Sequence, residues 1–238
     1  MDIAESEVVR DILDINRRVC ALLWDMGDVH RVPSDGGPHL IAPQMRNGAI
    51  RISEQEARIL YCGVLPTLDY FYSIETPTVK TYQQQGKTRR SASSDLSLYR
   101  VQWNVLEKVA NVEFKAHNPP QEHIRKDIEK LVRERILGNW FHLLKNMDSG
   151  TLPNLFGKMK KALFQSEAFL AEETPLSLVF TFCVREKPWG CMKHFYYSPK
   201  SGDFREYVDR FFRFSCAVRK GEIEVQEANG WVVVGKDG

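Results

Sequence analysis

The chain has 238 residues, 43% hydrophobic and 27% charged, long enough to bury a core without disulfide or metal staples. Its formal charge of +2 excludes a globally basic field, so a surface for a polyanion must be a local patch. No apolar run approaches the ~18–20 residues of a membrane helix, and the acidic start MDIAESEVVRD does not read as a signal peptide.

Residues 4–25 place Val8, Val9, Ile12, Ile15, Val19, Leu22 and Leu23 at helical spacing, which predicts an amphipathic helix. A Gly/Pro-rich stretch, GDVHRVPSDGGPH, follows as a linker or long hairpin. Ser53 and Glu56 form a capping box that opens a second helix carrying Ile59, Leu60, Val64 and Leu68, kinked or interrupted by Pro66. Strands are expected at Tyr70–Ile74 and Val79–Tyr82, parted by Thr76-Pro77-Thr78. After a polar, basic loop over 83–90, further strands are expected at Asp95–Tyr99 and Ala110–Ala116. Pro119-Pro120, with Asn118 as cap, announces a helix over 121–135 with Ile124, Ile128, Leu131 and Val132 on one face. Trp140–Leu144 and Leu176–Val184 read as strands and 155–170 as a helix, an α/β or α+β order around a central sheet.

Chemistry concentrates between Asp95 and Lys130. Alternation turns Asn111, Glu113 and Lys115 to one face of their strand and Ala110, Val112, Phe114 and Ala116 to the core. Asp95, opening the preceding strand, approaches the same polar face. Two converging carboxylates repel unless a cation lies between them, and oxygen ligands without thiol or imidazole favour Mg²⁺ or Mn²⁺. Lys115 beside them would position a water or neutralise charge growing on a phosphate. The odd cysteine count without a C-x-x-C pair and histidines without an H-x-x-x-H set argue against a zinc site. They also point to a reducing, cytoplasmic setting.

Asp95…Glu113-Phe114-Lys115, on two strands framed by helices, resembles the PD-(D/E)xK nuclease superfamily over about residues 53–145, with Ser94 where the family name has proline. The resemblance implies a restriction-endonuclease-like core, a central mixed sheet flanked by helices, over 51–150. An N-terminal helical extension over 1–50 and a C-terminal α/β part over 151–238 would be added to it. It implies that Asp95 and Glu113 bind a divalent metal and that Lys115 assists hydrolysis. Glu54 is the acid expected from the preceding helix, with Glu56 and Glu75 as alternatives. Asp127 and Lys130, one turn apart, are candidates to line the site.

Lys80, Tyr82, Lys87, Arg89 and Arg90 precede Asp95, and a basic segment leading into a metal site is what phosphate-backbone binding requires. The expectation is a Mg²⁺-dependent endonuclease acting on DNA in restriction or defence, with RNA as another possible substrate. The resemblance further implies a homodimer, and a protein partner or activator is a further option. The alternatives are a non-catalytic nucleic-acid-binding or assembly subunit that keeps the fold, and an unrelated α/β interaction domain.

Overall fold

The computed structural model describes residues 3–26, 40–82, 90–170, 174–219 and 222–235. The Gly/Pro-rich stretch and most of the basic loop lie outside them. The elements in chain order are α1 (Ile3–Asp25), α2 (Glu54–Val64), β1 (Phe71–Tyr82), β2 (Arg90–Gln102), β3 (Val105–Ala116) and α3 (Gln121–Glu134). They continue with β4 (Leu137–Leu144), α4 (Thr151–Ser166), β5 (Leu176–Val184), β6 (Trp189–Tyr197), α5 (Phe204–Phe211), β7 (Ser215–Arg219), β8 (Glu222–Glu227) and β9 (Val232–Gly235).

Seven strands form one sheet in the order β1-β2-β3-β4-β5-β6-β9, and β7 pairs with β8 apart from it. Only the β3–β4 and β4–β5 ladders are parallel; the other ladders of the sheet are antiparallel. The sheet therefore draws strands from both the 51–150 and the 151–238 segments. Parallel neighbours need a crossover, which α3 and α4 provide.

Alternation divides the core into two layers. Leu96, Val112, Phe114, Phe141, Val179 and Cys183 pack with α1 and α2, while Trp140, Leu144, Phe180 and Phe182 pack with α3, α4 and α5. The first helix is thus part of the main core. Val8, Ile12, Ile15, Val19 and Leu23 are buried, each worth about 1.5–3 kcal/mol. Asn16 on α1 donates to Asn139 Oδ1 on β4 at 2.9 Å and to Thr181 Oγ1 on β5 at 2.8 Å. Asn139 returns a bond to Asn16 and another to the Tyr61 hydroxyl on α2, so this buried network fixes both helices against the sheet.

Local signals succeed where they are complete. Ser53 caps α2 and both halves of the predicted box form, while Pro66 falls in a single 3₁₀ turn after the helix ends. The two segments expected around Thr76-Pro77-Thr78 are one strand, β1, bent by a register shift between Pro77 and Thr81. A bulge with proline on an edge strand also discourages pairing with another chain. Asp95 lies inside β2 rather than opening it, because pairing extends back to Arg90 and forward to Gln102. A two-residue turn at Trp103 and Asn104, both left-handed (φ 50° and 63°), joins β2 to β3. Asn118 does not cap α3: Pro120 takes that position without a side-chain bond, and the Asn118 amide oxygen accepts from Lys158 at 2.6 Å.

Candidate active site

The site forms where α3 lies across the polar face of β2 and β3. That face is not solvated: Glu113 is fully buried, and Asn111, Asp127 and Lys130 are buried with it. Gly138 on β4 permits this approach, since a Cβ there would meet Leu178 Cδ2 at 2.5 Å and Leu131 Cβ, on α3, at 3.1 Å.

Four charged groups form an alternating chain. Lys115 Nζ on β3 lies 2.8 Å from Asp127 Oδ2. Asp127 Oδ1 meets Lys130 Nζ at 2.8 Å, and the same ammonium reaches Glu113 Oε2 at 2.7 Å. Lys130 also donates to the Ser93 carbonyl of β2 at 3.0 Å, which uses all three of its N–H bonds. Lys115 donates to the Phe114 carbonyl at 3.0 Å, so its third N–H has no partner among the described residues. Asp95, one residue beyond the Leu96–Val112 pair, accepts the Phe114 amide N–H at 2.8 Å.

The electrostatics follow from burial and neighbours. Burial pushes the Glu113 carboxyl well above its ordinary range; Lys130 opposes this, while Asp127 and Asp95 add to it. Glu54, at the start of α2, is raised by burial and by Asp95 and Asp127 against the pull of Lys115, so it senses the same site. Burial works against charge on Lys115 and Lys130, yet their carboxylate neighbours outweigh it and both stay protonated. Asp127 resists burial in the same way and is lowered by the two lysines.

Of the expected residues, Asp95, Glu113, Lys115, Asp127, Lys130 and Glu54 are brought together. Glu56 is engaged in the helix cap instead: its Oε2 accepts from the Ser53 amide at 2.8 Å and the Ser53 hydroxyl at 2.6 Å. Glu75, left-handed at φ 51°, is paired with Arg58 at 2.7 Å. Lys80 and Tyr82 lie on β1, and Tyr82 pairs with Arg90 at the start of β2; Lys87 and Arg89 lie outside the described residues. Sequence reasoning missed the backbone contributions of Ser93 and Phe114, which no residue type announces. It also missed His142, which is buried and donates to the His117 carbonyl at 2.6 Å with the Trp140 indole N–H 3.4 Å from its other nitrogen.

Among the described residues no three His, Cys, Asp or Glu side chains are set as a metal cluster; two ammonium groups lie among the carboxylates instead. The donor chemistry nonetheless fits a hard divalent cation. Among the described residues Glu113 Oε1 is buried without a hydrogen-bond partner, and the four carboxylates Glu54, Asp95, Glu113 and Asp127 are met by Lys115 and Lys130, with Arg58, itself paired with Glu75, reaching Glu54 as well. Leaving such an oxygen unsatisfied costs about 1–3 kcal/mol or more, which a cation would offset. No helix among the described residues is long and apolar enough to cross a membrane. The chain matches no family model, no curated protein and no solved structure.

Proposed function

We propose that this chain is a divalent-metal-dependent nuclease with a restriction-endonuclease-like core, hydrolysing phosphodiester bonds of DNA. The observation that carries this reading is the buried Glu113 carboxylate, one oxygen salt-bridged and the other unpartnered, on the strand that also bears Lys115 and beside Asp95. The order α2-β1-β2-β3-α3-β4 around these residues supports it. Asp95 and Glu113 would hold Mg²⁺ or Mn²⁺, with Glu54 as a third donor. The ion would polarise a phosphoryl oxygen and acidify a water.

This chain's own residues do the positioning. The Phe114 N–H aims Asp95, and Asp127 holds the Lys115 ammonium while leaving one of its N–H bonds to meet the attacking water or a phosphate oxygen. The basic residues from Lys80 to Arg90 end five positions before Asp95, about 17 Å of extended strand, and would follow the phosphate backbone toward the site. Cutting both strands of a duplex needs two such sites, so a homodimer belongs to the proposal, as does a role in restriction or defence.

A second reading is a nucleic-acid-binding or assembly subunit without catalysis, favoured by the ammonium groups that lie among the carboxylates. Purified wild type and Lys115→Ala, assayed on supercoiled plasmid, linear duplex and single-stranded RNA with Mg²⁺, Mn²⁺ or EDTA, separate the two. Metal-dependent cutting that disappears in the variant supports the nuclease. Binding in EDTA without cutting under any condition supports the second reading.

A further inference from the structure

We propose that Lys130 is a resident cation of this site: its ammonium fills a second cation position between β2, β3 and α3, so the site takes one divalent ion per chain. The proposal rests on the metal-dependent reading and specifies how much metal that reading involves.

The surroundings of Lys130 Nζ are those of a small hard cation. Its three neighbours are all oxygens, Glu113 Oε2 at 2.7 Å, Asp127 Oδ1 at 2.8 Å and the Ser93 carbonyl at 3.0 Å, and they come from three different elements. Two carboxylates and a backbone carbonyl form a donor set that Mg²⁺ or Mn²⁺ would otherwise accept. The side chain is only 9% exposed and has no spare N–H, so it cannot reach a substrate without breaking a buried bond. Lys115 differs: one of its N–H bonds has no partner among the described residues, and it is more exposed, at 15%. The two lysines therefore divide the work, Lys115 facing the reaction and Lys130 serving as fixed charge.

Charge balance leads to the same number. Glu54, Asp95, Glu113 and Asp127 together carry four negative charges when ionised, and Lys115 and Lys130 return two positive ones, while Arg58, which also reaches Glu54, is balanced by Glu75 at 2.7 Å. One divalent ion closes the balance. A second would leave two uncompensated positive charges in a buried site, a costly arrangement. Glu113 Oε1, the oxygen Lys130 leaves open, is the atom left for the incoming ion.

Mn²⁺ titration of the full chain without nucleic acid, followed by the electron paramagnetic resonance signal of the free ion, tests this. Wild type and Lys130→Arg, which retains the charge, are expected to bind one Mn²⁺ per chain. Lys130→Ala uncovers Glu113 Oε2, Asp127 Oδ1 and the Ser93 carbonyl, and is expected to bind two. Circular dichroism melts in Mn²⁺ identify folded variants, and Lys130→Ser replaces Lys130→Ala if the latter does not fold. Two ions on wild type overturn the proposal whatever the variants do. One ion on a folded, charge-deleted variant, with unchanged affinity, also overturns it. No Mn²⁺ on wild type overturns the metal-dependent reading itself, and this proposal falls with it.

Discussion

The backbone N–H of Phe114 donates to Asp95 Oδ2 at 2.8 Å, so β3 itself orients the acid carried by β2. Phe114 holds the strand in place by burying its ring on the opposite face, edge-on to Tyr61 of α2 at 5.5 Å. Core packing on one face of the sheet thereby sets a carboxylate on the other.

Asp95→Asn preserves that hydrogen bond, because the amide oxygen still accepts, and removes only the charge. Metal-dependent cleavage is expected to fall by about 10²-fold or more, with the melting temperature within about 3 °C of wild type. A plasmid-nicking assay beside a thermal melt checks it. A large loss of stability with unimpaired cutting would assign Asp95 a structural role alone.

Lys115 and Lys130 are expected to fail differently. Lys115→Met leaves Asp127 paired with Lys130, so the fold should persist while cleavage drops by about 10²–10⁴-fold. Lys130→Met strands Glu113, whose Oε2 loses its only ionic partner among the described residues in a fully buried position. In metal-free buffer it should lose about 3–5 kcal/mol, read by urea unfolding.

Gly138→Ala tests whether the close approach of α3 to the sheet matters. The new Cβ would collide with Leu178 Cδ2, which can rotate away, and crowd Leu131 Cβ, which is fixed to the helix backbone. The expected cost is about 1–3 kcal/mol, accompanied by weaker Mn²⁺ binding as Lys130 and Asp127 shift with the helix. Unchanged stability and metal affinity would show that the helix has slack.

His142 should make the protein less stable in mild acid. Burial pushes its imidazole down to about 4 from an ordinary value of 6.5, despite the opposing hydrogen bond to the His117 carbonyl. Above pH 6.5 neither the folded nor the unfolded chain protonates this residue, so its contribution is complete. Between 6.5 and 4 the unfolded chain takes up a proton that the folded one refuses, and stability declines as pH falls, by on the order of 3 kcal/mol. His194, also lowered to about 4 by burial, acts in the same direction. Glu113, raised by burial, acts in the opposite one, so the informative quantity is the difference between wild type and His142→Gln. Urea unfolding at pH 7 and pH 5 should show a smaller decline in the variant.

Short-range pattern was sufficient wherever one stretch of chain held both halves of an interaction. Ser53 and Glu56 cap α2 three residues apart, and Glu113 and Lys115 share a face because strand side chains alternate. The spacing of Ile124, Ile128 and Leu131 likewise announced the buried stripe of α3. The expectation for Asn118 failed because a cap residue is free to bond elsewhere, and Lys158, forty positions away, claimed its oxygen.

What the sequence by itself determined was the strand that carries Glu113 and Lys115 on one face and the helix that carries Asp127 and Lys130. Tertiary structure alone decided the charge pattern. Lys130 meets Glu113 across seventeen positions because the α3 crossover folds back over β3, and Gly138 lets the two come close. The same crossover buried the polar face of β3, with Glu113 and Asn111 on it. Partners distant in sequence and backbone atoms such as the Ser93 carbonyl leave no trace in residue type, because every residue carries the same peptide group and only the fold chooses which one a lysine reaches.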